Sequence, residues 1–540
     1  MKFGVRNGVL RKPWNEVFYE AARLGFDGVE LDIGADYANT LFWSAEGRDE
    51  IKRMSRESGA ELASVCLGVM WSLSLSSERD DVRKTAIEII KRSTAYCSEL
   101  GAGFILVPIT PARDEGIDPD RSLENWIKGL ELCAPDAERN NVILAVENVG
   151  GGVCPSAGRQ MRIIEAIDSP YVKAYYDFGN GCFNRLGEMA AEFGRRALLV
   201  TGRRAMRESG TLDKALKLLR EFNIEVVVFD RVEPEPSTDT VDEGVRVVRA
   251  ERCDLVVGIG GGSAMDVAKA IACLVRNEGS ASEYQQGMRK IEREGLPFIA
   301  VPTTAGTGAE VTKNAVLIDR SRGVKASIRS PLMLAKIALI DPLLTVSAPP
   351  RVTAGSGMDA LTQAIESYVS LASNPVSDAL AIRAIKYIYN FLPRAFESGD
   401  DIEAREKVML GSFMTGLSFA NASLGAVHGL AHPIGAHFGI PHGIACAILL
   451  PHVMRFNLDV RKEKYAEIAA TMGAEPVPEM AIERVKELSL RLELPQRLSH
   501  FGIEKGELEK VARDARGSSL NNNPRPATRE DLIEILHAAL

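Results

Sequence analysis

The stretch Asp254–Ala270, DLVVGIGGGSAMDVAKA, decides the architecture of the middle of this chain. An unbroken apolar run, Leu255 to Ile259, reads as a buried strand of a parallel sheet, and it runs into Gly260-Gly261-Gly262-Ser263 and a helix opening at Ala264. Glycines let a backbone approach a ligand closely, and a helix amino terminus offers unpaired N–H groups with partial positive charge, so this turn suits a phosphate. Ser263 and Asp266 have the spacing of a capping box that would fix the helix start. The spacing is not G-x-G-x-x-G, and a tight turn alone needs the same glycines, so one loop leaves both readings open. A second loop, Pro302-Thr303-Thr304-Ala305-Gly306-Thr307-Gly308, follows the strand FIAV. Two such loops at strand ends favour a ligand beyond the carboxyl edge of an α/β sheet.

Working outward, RRALLVTG and IEVVVFD add strands to the same sheet, whereas beyond about residue 345 strand-like runs give way to long helical patterns such as Asp359 to Leu371 and Ser377 to Phe391. Upstream, KFGVR, GVELDI, ELASVCL, GFILVPI, NVILAVENV and YVKAYYDFGN alternate with amphipathic helical segments, giving six strand–helix units by residue 180. That alternation implies a parallel sheet covered by helices, either doubly wound or a (β/α) barrel. The junction NGCFNRLG carries no Pro/Ser-rich linker.

At 540 residues the chain has room for several domains. Its 46% hydrophobic and 26% charged residues describe a packed, water-soluble protein. The net charge of −8 is spread over interspersed acids and bases without a basic stripe, which argues against a nucleic-acid partner. Eight dispersed cysteines without a CxxC pair predict reduced thiols. No signal-like start or uninterrupted span of apolar residues is present, so a cytoplasmic protein without a membrane partner is expected, with a homo-oligomer as its assembly.

All seven histidines follow residue 427, and His428, His432, His437 and His442 cluster in GAVHGLAHPIGAHFGIPHG. His428 and His432 are i, i+4 on one helical face among small and apolar residues, where imidazoles need partners. Asp359 and Gln363 repeat that spacing in GMDALTQAIESYVS. A lone pair of this kind is an ordinary polar face, but the histidine density suits a divalent metal with a proton carrier beside it.

Taken in order, GGGSAMDVAK, PTTAGTGAEVT, GMDALTQAIE and HGLAHPIGAHFGIPHG resemble the iron-containing (group III) alcohol dehydrogenase family from about Arg185 to Leu540. The resemblance implies a Rossmann-like NAD(P)-binding domain over 183–345 and an all-helical metal-binding domain over 346–540, acting on a small alcohol or aldehyde. It implies metal ligands Asp359, Gln363, His428 and His442 for one Fe2+ or Zn2+, with His432 at the proton-relay position, where an imidazole titrating near neutrality is expected. Gln363 departs from the histidine of many relatives and offers a weaker donor. The pyrophosphate is expected on Gly260, Gly261, Gly262 and Ser263 with Asp266 in the same motif, and Thr303, Thr304, Thr307 and Lys325 line the cofactor. Relatives preferring NAD often carry aspartate where this chain has Gly202; here Arg203 and Arg204 follow, which favours NADP. Relatives begin with about twenty more residues, a length that holds a β-hairpin, so this module is expected to be clipped at its start.

Residues 1–182 resemble the xylose-isomerase-like barrel family of sugar-phosphate isomerases and epimerases through GFDGVELDIG, AVENVG and YYDFGN. The resemblance implies that Glu147 and Asp177, at the ends of the fifth and sixth strands, match that family's first two metal ligands. The later strands are missing, and no histidine precedes His428, so a truncated barrel without epimerase activity is expected. The alternatives to the dehydrogenase are an isomerase or epimerase run by this barrel, or a catalytically dead fusion remnant.

Overall fold

The computed structural model describes residues 4–10, 12–26, 28–110, 118–140, 142–147, 175–515 and 517–540. It divides into two compact units, Met1–Tyr175 and Tyr176–Leu540.

The first unit is a sheet of five strands, β1 (Gly4–Arg6), β2 (Gly28–Asp32), β3 (Glu61–Cys66), β4 (Phe104–Pro108) and β5 (Ile143–Glu147), hydrogen-bonded in chain order and all parallel. Each strand pairs with the next in sequence, without the reversal of a doubly wound sheet, which is the barrel-type order. The helix Asp80–Leu100 shows why the segments between strands fold as they do. Its buried residues Ala86, Ile89, Ile90, Ser93, Thr94 and Cys97 form one stripe of helical period, and Gly101 ends it at φ +79°. Val29, Leu31, Val65, Ile105 and Val107 from the strands share a core with Phe18, Ile51, Ile90 and Trp126 from the helices.

The second unit begins with a six-stranded sheet. Its strands are β6 (Tyr175–Phe178), β7 (Arg196–Gly202), β8 (Glu225–Val232), β9 (Leu255–Gly260), β10 (Phe298–Pro302) and β13 (Ile337–Ile340), in the order β6-β13-β10-β9-β7-β8. Every residue of β9 is buried, as its apolar run requires. From β7 the chain moves to one side for β8 and to the other for β9 and β10. The topological switch point therefore lies between β7 and β9, where Thr201 stands opposite Ile259 and the two strands end in Gly202 and Gly260. A short antiparallel ribbon, β11 (Asn314–Asp319) and β12 (Val324–Arg329), follows β10.

Downstream the chain is helical, with long helices Pro350–Val369, Pro375–Glu397, Ile402–Ala422, Ala426–Phe438 and His442–Asn457. Pro350–Val369 is buried nearly all round, as expected of a central core helix. The segment His442–Val460 is long and apolar enough to cross a membrane by composition, but 67% of it is buried inside this helical core.

The structure corrects one strand assignment. Tyr175–Phe178, expected as the sixth strand of the barrel, lies beside β13 in the second sheet. The reason is a set of bonds within the second unit. The buried Asp341 carboxylate accepts from Gly181 N (3.0 Å), Phe183 N (3.2 Å) and Leu343 N (3.0 Å), and Phe178 stacks on Phe413 with centroids 6.4 Å apart. Asp177 and Glu147, expected together as barrel ligands, therefore sit on strands of different sheets; their side chains, and residues 148–174 with the rest of AVENVG, lie outside the described residues. Asp341→Ala removes a charged acceptor from these amides and is expected to destabilise the second unit by about 2–4 kcal/mol. Denaturant unfolding and amide exchange at Gly181 and Phe183 measure it; unchanged protection there would contradict this tether.

Candidate active site

Three helices each aim a pair of side chains, one turn apart, at a common point. Asp359 and Gln363 come from Pro350–Val369, His428 and His432 from Ala426–Phe438, and His442 and Cys446 from His442–Asn457. The helices can approach this closely because Gly443 faces Gly355: a Cβ at Gly443 would stand 2.1 Å from the Gly355 carbonyl oxygen. The His428 ring lies 5.3 Å from that of His442 and 6.3 Å from that of His432, and His432 stacks on His442 at 5.3 Å between centroids. Asp359 Oδ1 is 3.4 Å from His428 Nε2 and 3.7 Å from His442 Nε2.

The donor set fits a metal ion. Asp359 Oδ1, Gln363 Oε1, His428 Nε2 and His442 Nδ1 are buried without a hydrogen-bond partner, a costly arrangement for polar atoms unless a cation engages them. One donor atom each from Asp359, His428, His442 and Cys446 lies within 4.8 Å of the others.

Glu366, which sequence reading missed, orients the site. It follows Asp359 and Gln363 at i+7 and i+3 on the same helix face. Its Oε2 lies 2.6 Å from His428 Nδ1, and its Oε1 accepts from Val427 N at 2.7 Å, so one carboxylate both fixes the ring and satisfies a helix amino terminus. Asn523, in the NNNPRPAT segment, accepts from Ala426 N (3.1 Å) and exchanges amide hydrogen bonds with Asn457 (2.9 and 2.8 Å). Burial alone would depress His428, but the Glu366 and Asp359 carboxylates hold it at about 9. His432 and His442 are pushed well below the ordinary histidine value by burial and by the Lys325 charge. Burial pushes the Cys446 thiol up, with help from the Asp359 and Glu366 carboxylates.

The glycine loop adjoins the second loop. The helix Gly262–Leu274 starts at Gly262, with Gly261 as its N-cap, and a Cβ on Gly262 would stand 2.6 Å from Thr307 Cγ2. Thr303 N donates to Gly260 O at 2.9 Å. The predicted capping box does not form, because Asp266 Oδ2 instead accepts from Val316 N (3.0 Å) on β11. Lys269, also missed, is buried on that helix and donates to Ala309 O (2.7 Å), Asn314 O (2.8 Å) and Thr312 Oγ1 (3.1 Å), pinning the two loops together.

A cavity of about 430 Å³ joins the loop to the histidines. Of the expected cofactor residues, Gly262, Ser263, Asp266, Thr307 and Lys325 line it, as do Asp359, Gln363, His428, His432 and His442. Gly260, Gly261, Thr303, Thr304 and Gly202 do not line it; Gly202 and Gly260 sit at strand ends, Gly261 is the helix N-cap, and the threonines shape the second loop. Lys325 is paired with Glu235, a further cavity residue that sequence reading did not single out.

The chain matches the family model of iron-containing alcohol dehydrogenase over residues 174–342 and that of the family's C-terminal part over 353–540. It is 40% identical over 373 residues to 1,3-propanediol dehydrogenase of Citrobacter freundii, covering 67% of this chain and 96% of that protein. The chain belongs to the iron-containing alcohol dehydrogenase family. It is 35% identical to NAD-dependent methanol dehydrogenase of Bacillus methanolicus, covering 67% of this chain and 97% of the relative. The crystal structure of 1,3-propanediol oxidoreductase superposes with TM-score 0.65 at 38% identity, over 68% of this chain and 97% of that one. Membership makes this a metal-dependent, nicotinamide-linked alcohol dehydrogenase and aldehyde reductase. The family-model match starts at residue 174, somewhat before the expected start near Arg185. Residues 18–200 match the xylose isomerase-like TIM barrel model.

Glu366→Gln removes the charge that orients His428 and is expected to weaken metal binding by about 10–100-fold. Equilibrium dialysis against a metal buffer checks this; unchanged affinity would remove Glu366 from the site.

Proposed function

We propose that this dehydrogenase interconverts small alcohols and their aldehydes with NADP(H), holding one divalent metal through Asp359, His428 and His442 with Gln363 beside them, and moving the proton through His432. The observation that carries this is the single cavity whose walls include both the glycine loop and the converging imidazoles. At about 430 Å³ it has to take a nicotinamide end as well as the substrate, which favours a substrate of few heavy atoms. The propanediol and methanol in the names of two relatives agree with that size.

When bound, the metal supplies Lewis-acid polarisation at the substrate oxygen and the nicotinamide carries the hydride. The residues of this chain do the rest. Asp359 gives the donor set its negative charge. Glu366 fixes the His428 ring so that Nε2 faces the site. His432, stacked on His442, takes the proton from the alcohol oxygen during oxidation and returns it during reduction. The Gly262 and Ser263 end of the helix receives the pyrophosphate. Lys325 adds positive charge to the cavity wall.

NADP preference rests on the end of β7. A Cβ on Gly202 would find only Val232 O, at 3.9 Å, so the carboxylate that would repel a 2′-phosphate is absent for no steric reason, and Arg203 and Arg204 are exposed beside it. Cys97, Cys133, Cys253, Cys273 and Cys446 are buried thiols outside any disulfide, which supports a reducing compartment such as the cytoplasm.

The test is a panel of small aldehydes with NADPH and with NADH, on the full chain supplied with Fe2+ or Zn2+. His442→Ala is expected to lose the metal and the turnover; a fully active variant would sink the assignment. In the same assay Gly202→Asp is expected to shift kcat/KM towards NADH by about tenfold, equivalent to about 1.4 kcal/mol. A wild-type enzyme that already prefers NADH, or a variant with an unchanged ratio, would remove the NADP reading.

A further inference from the structure

Cys446 is buried one turn after His442 on the same helix face, and its Sγ lies 3.7 Å from His442 Nε2. Donors bound to one small cation at about 2.0–2.3 Å stand roughly 3.3–3.7 Å apart in a tetrahedron. Three of the six donor separations fall at this spacing: 3.4 Å for His428 Nε2 to Asp359 Oδ1, 3.7 Å for His442 Nε2 to Asp359 Oδ1 and 3.7 Å for Cys446 Sγ to His442 Nε2. The four donors lie within 4.8 Å of one another. Gln363 by contrast offers a neutral carboxamide oxygen, a weak donor for a borderline metal.

We infer that Cys446 is a protein ligand of the catalytic metal, completing an Asp359, His428, His442, Cys446 set in which sulfur supplies the strong fourth donor that Gln363 does not. The inference rests on the dehydrogenase reading above and adds to it the choice of metal. A set of one carboxylate, two imidazoles and one thiolate favours Zn2+ over Fe2+, since thiolate is the softest of these donors, and the substrate oxygen would enter as a fifth ligand. Coordination replaces the S–H bond with an S–metal bond and releases one proton to solvent per ion bound, with no change of oxidation state.

Cobalt reports sulfur ligation directly. The full chain, stripped of metal and titrated with Co2+, is expected to bind one ion and to develop a near-ultraviolet thiolate-to-cobalt charge-transfer band. Cys446→Ser and Cys446→Ala, each checked for retained fold by circular dichroism, are expected to lose that band while still binding Co2+, with Zn2+ affinity lowered by about 10–100-fold and its preference over Fe2+ reduced. One bound cobalt without the band, or a band that persists in both variants, overturns the sulfur ligand; aldehyde reduction by that cobalt enzyme would leave the dehydrogenase reading standing. Absence of any stoichiometric metal binding overturns both.

Discussion

The Glu366 carboxylate is the joint on which the catalytic half depends. Its two oxygens do different work: one accepts from the first turn of the helix Ala426–Phe438, the other holds His428 Nδ1. A buried carboxylate is tolerable only where both oxygens are engaged, and here the engagement fixes the rotation of a whole helix relative to Pro350–Val369. Because Asp359, Gln363 and Glu366 share one helix face, setting that rotation also sets which side chains meet Asp359. Asn523 repeats the arrangement from the other end of the sequence, tying Ala426 N to Asn457 on the helix that carries His442 and Cys446.

A second constraint acts at the sheet. The reversal of strand order between β7 and β9 opens a crevice at their carboxyl ends, and the same ends carry Gly202 and Gly260. Lys269 then fixes the second loop to the helix that leaves the first. The helix start at Gly262 and Ser263 and the converging imidazoles thus line one cavity.

Legibility in the sequence followed the range of the interactions. The strand, loop and helix of Asp254–Ala270 were readable because an apolar run and glycines are local signals. The pairs Asp359/Gln363 and His428/His432 were readable because helical spacing brings them together without tertiary information. Glu366 was not, since its partner lies 62 positions away, although its i+7 spacing from Asp359 was a usable signal. Cys446 was hidden because a cysteine on an apolar helix reads as packing. The capping box at Ser263 and Asp266 failed for the converse reason: a correct local pattern lost to Val316 N, 50 positions away. The metal ligands were assigned through family resemblance, and geometry adds that donor atoms of Asp359, His428 and His442 lie within 4.8 Å of one another.

The junction between the two units shows how such competition is settled. Residues 174–200 fall within both the barrel match and the dehydrogenase match, so the strand Tyr175–Phe178 and the residues after it are compatible with either family. A strand goes where its flanking backbone is best satisfied. Within the second sheet, Asp341 receives the amides of Gly181 and Phe183, Gly179 N donates to Ile340 O, and Phe178 meets Phe413. These bonds use residues of the dehydrogenase unit alone. The strand that the barrel pattern claims is thus an edge strand of the second sheet, and the bonds around Asp341 anchor the residues that follow it.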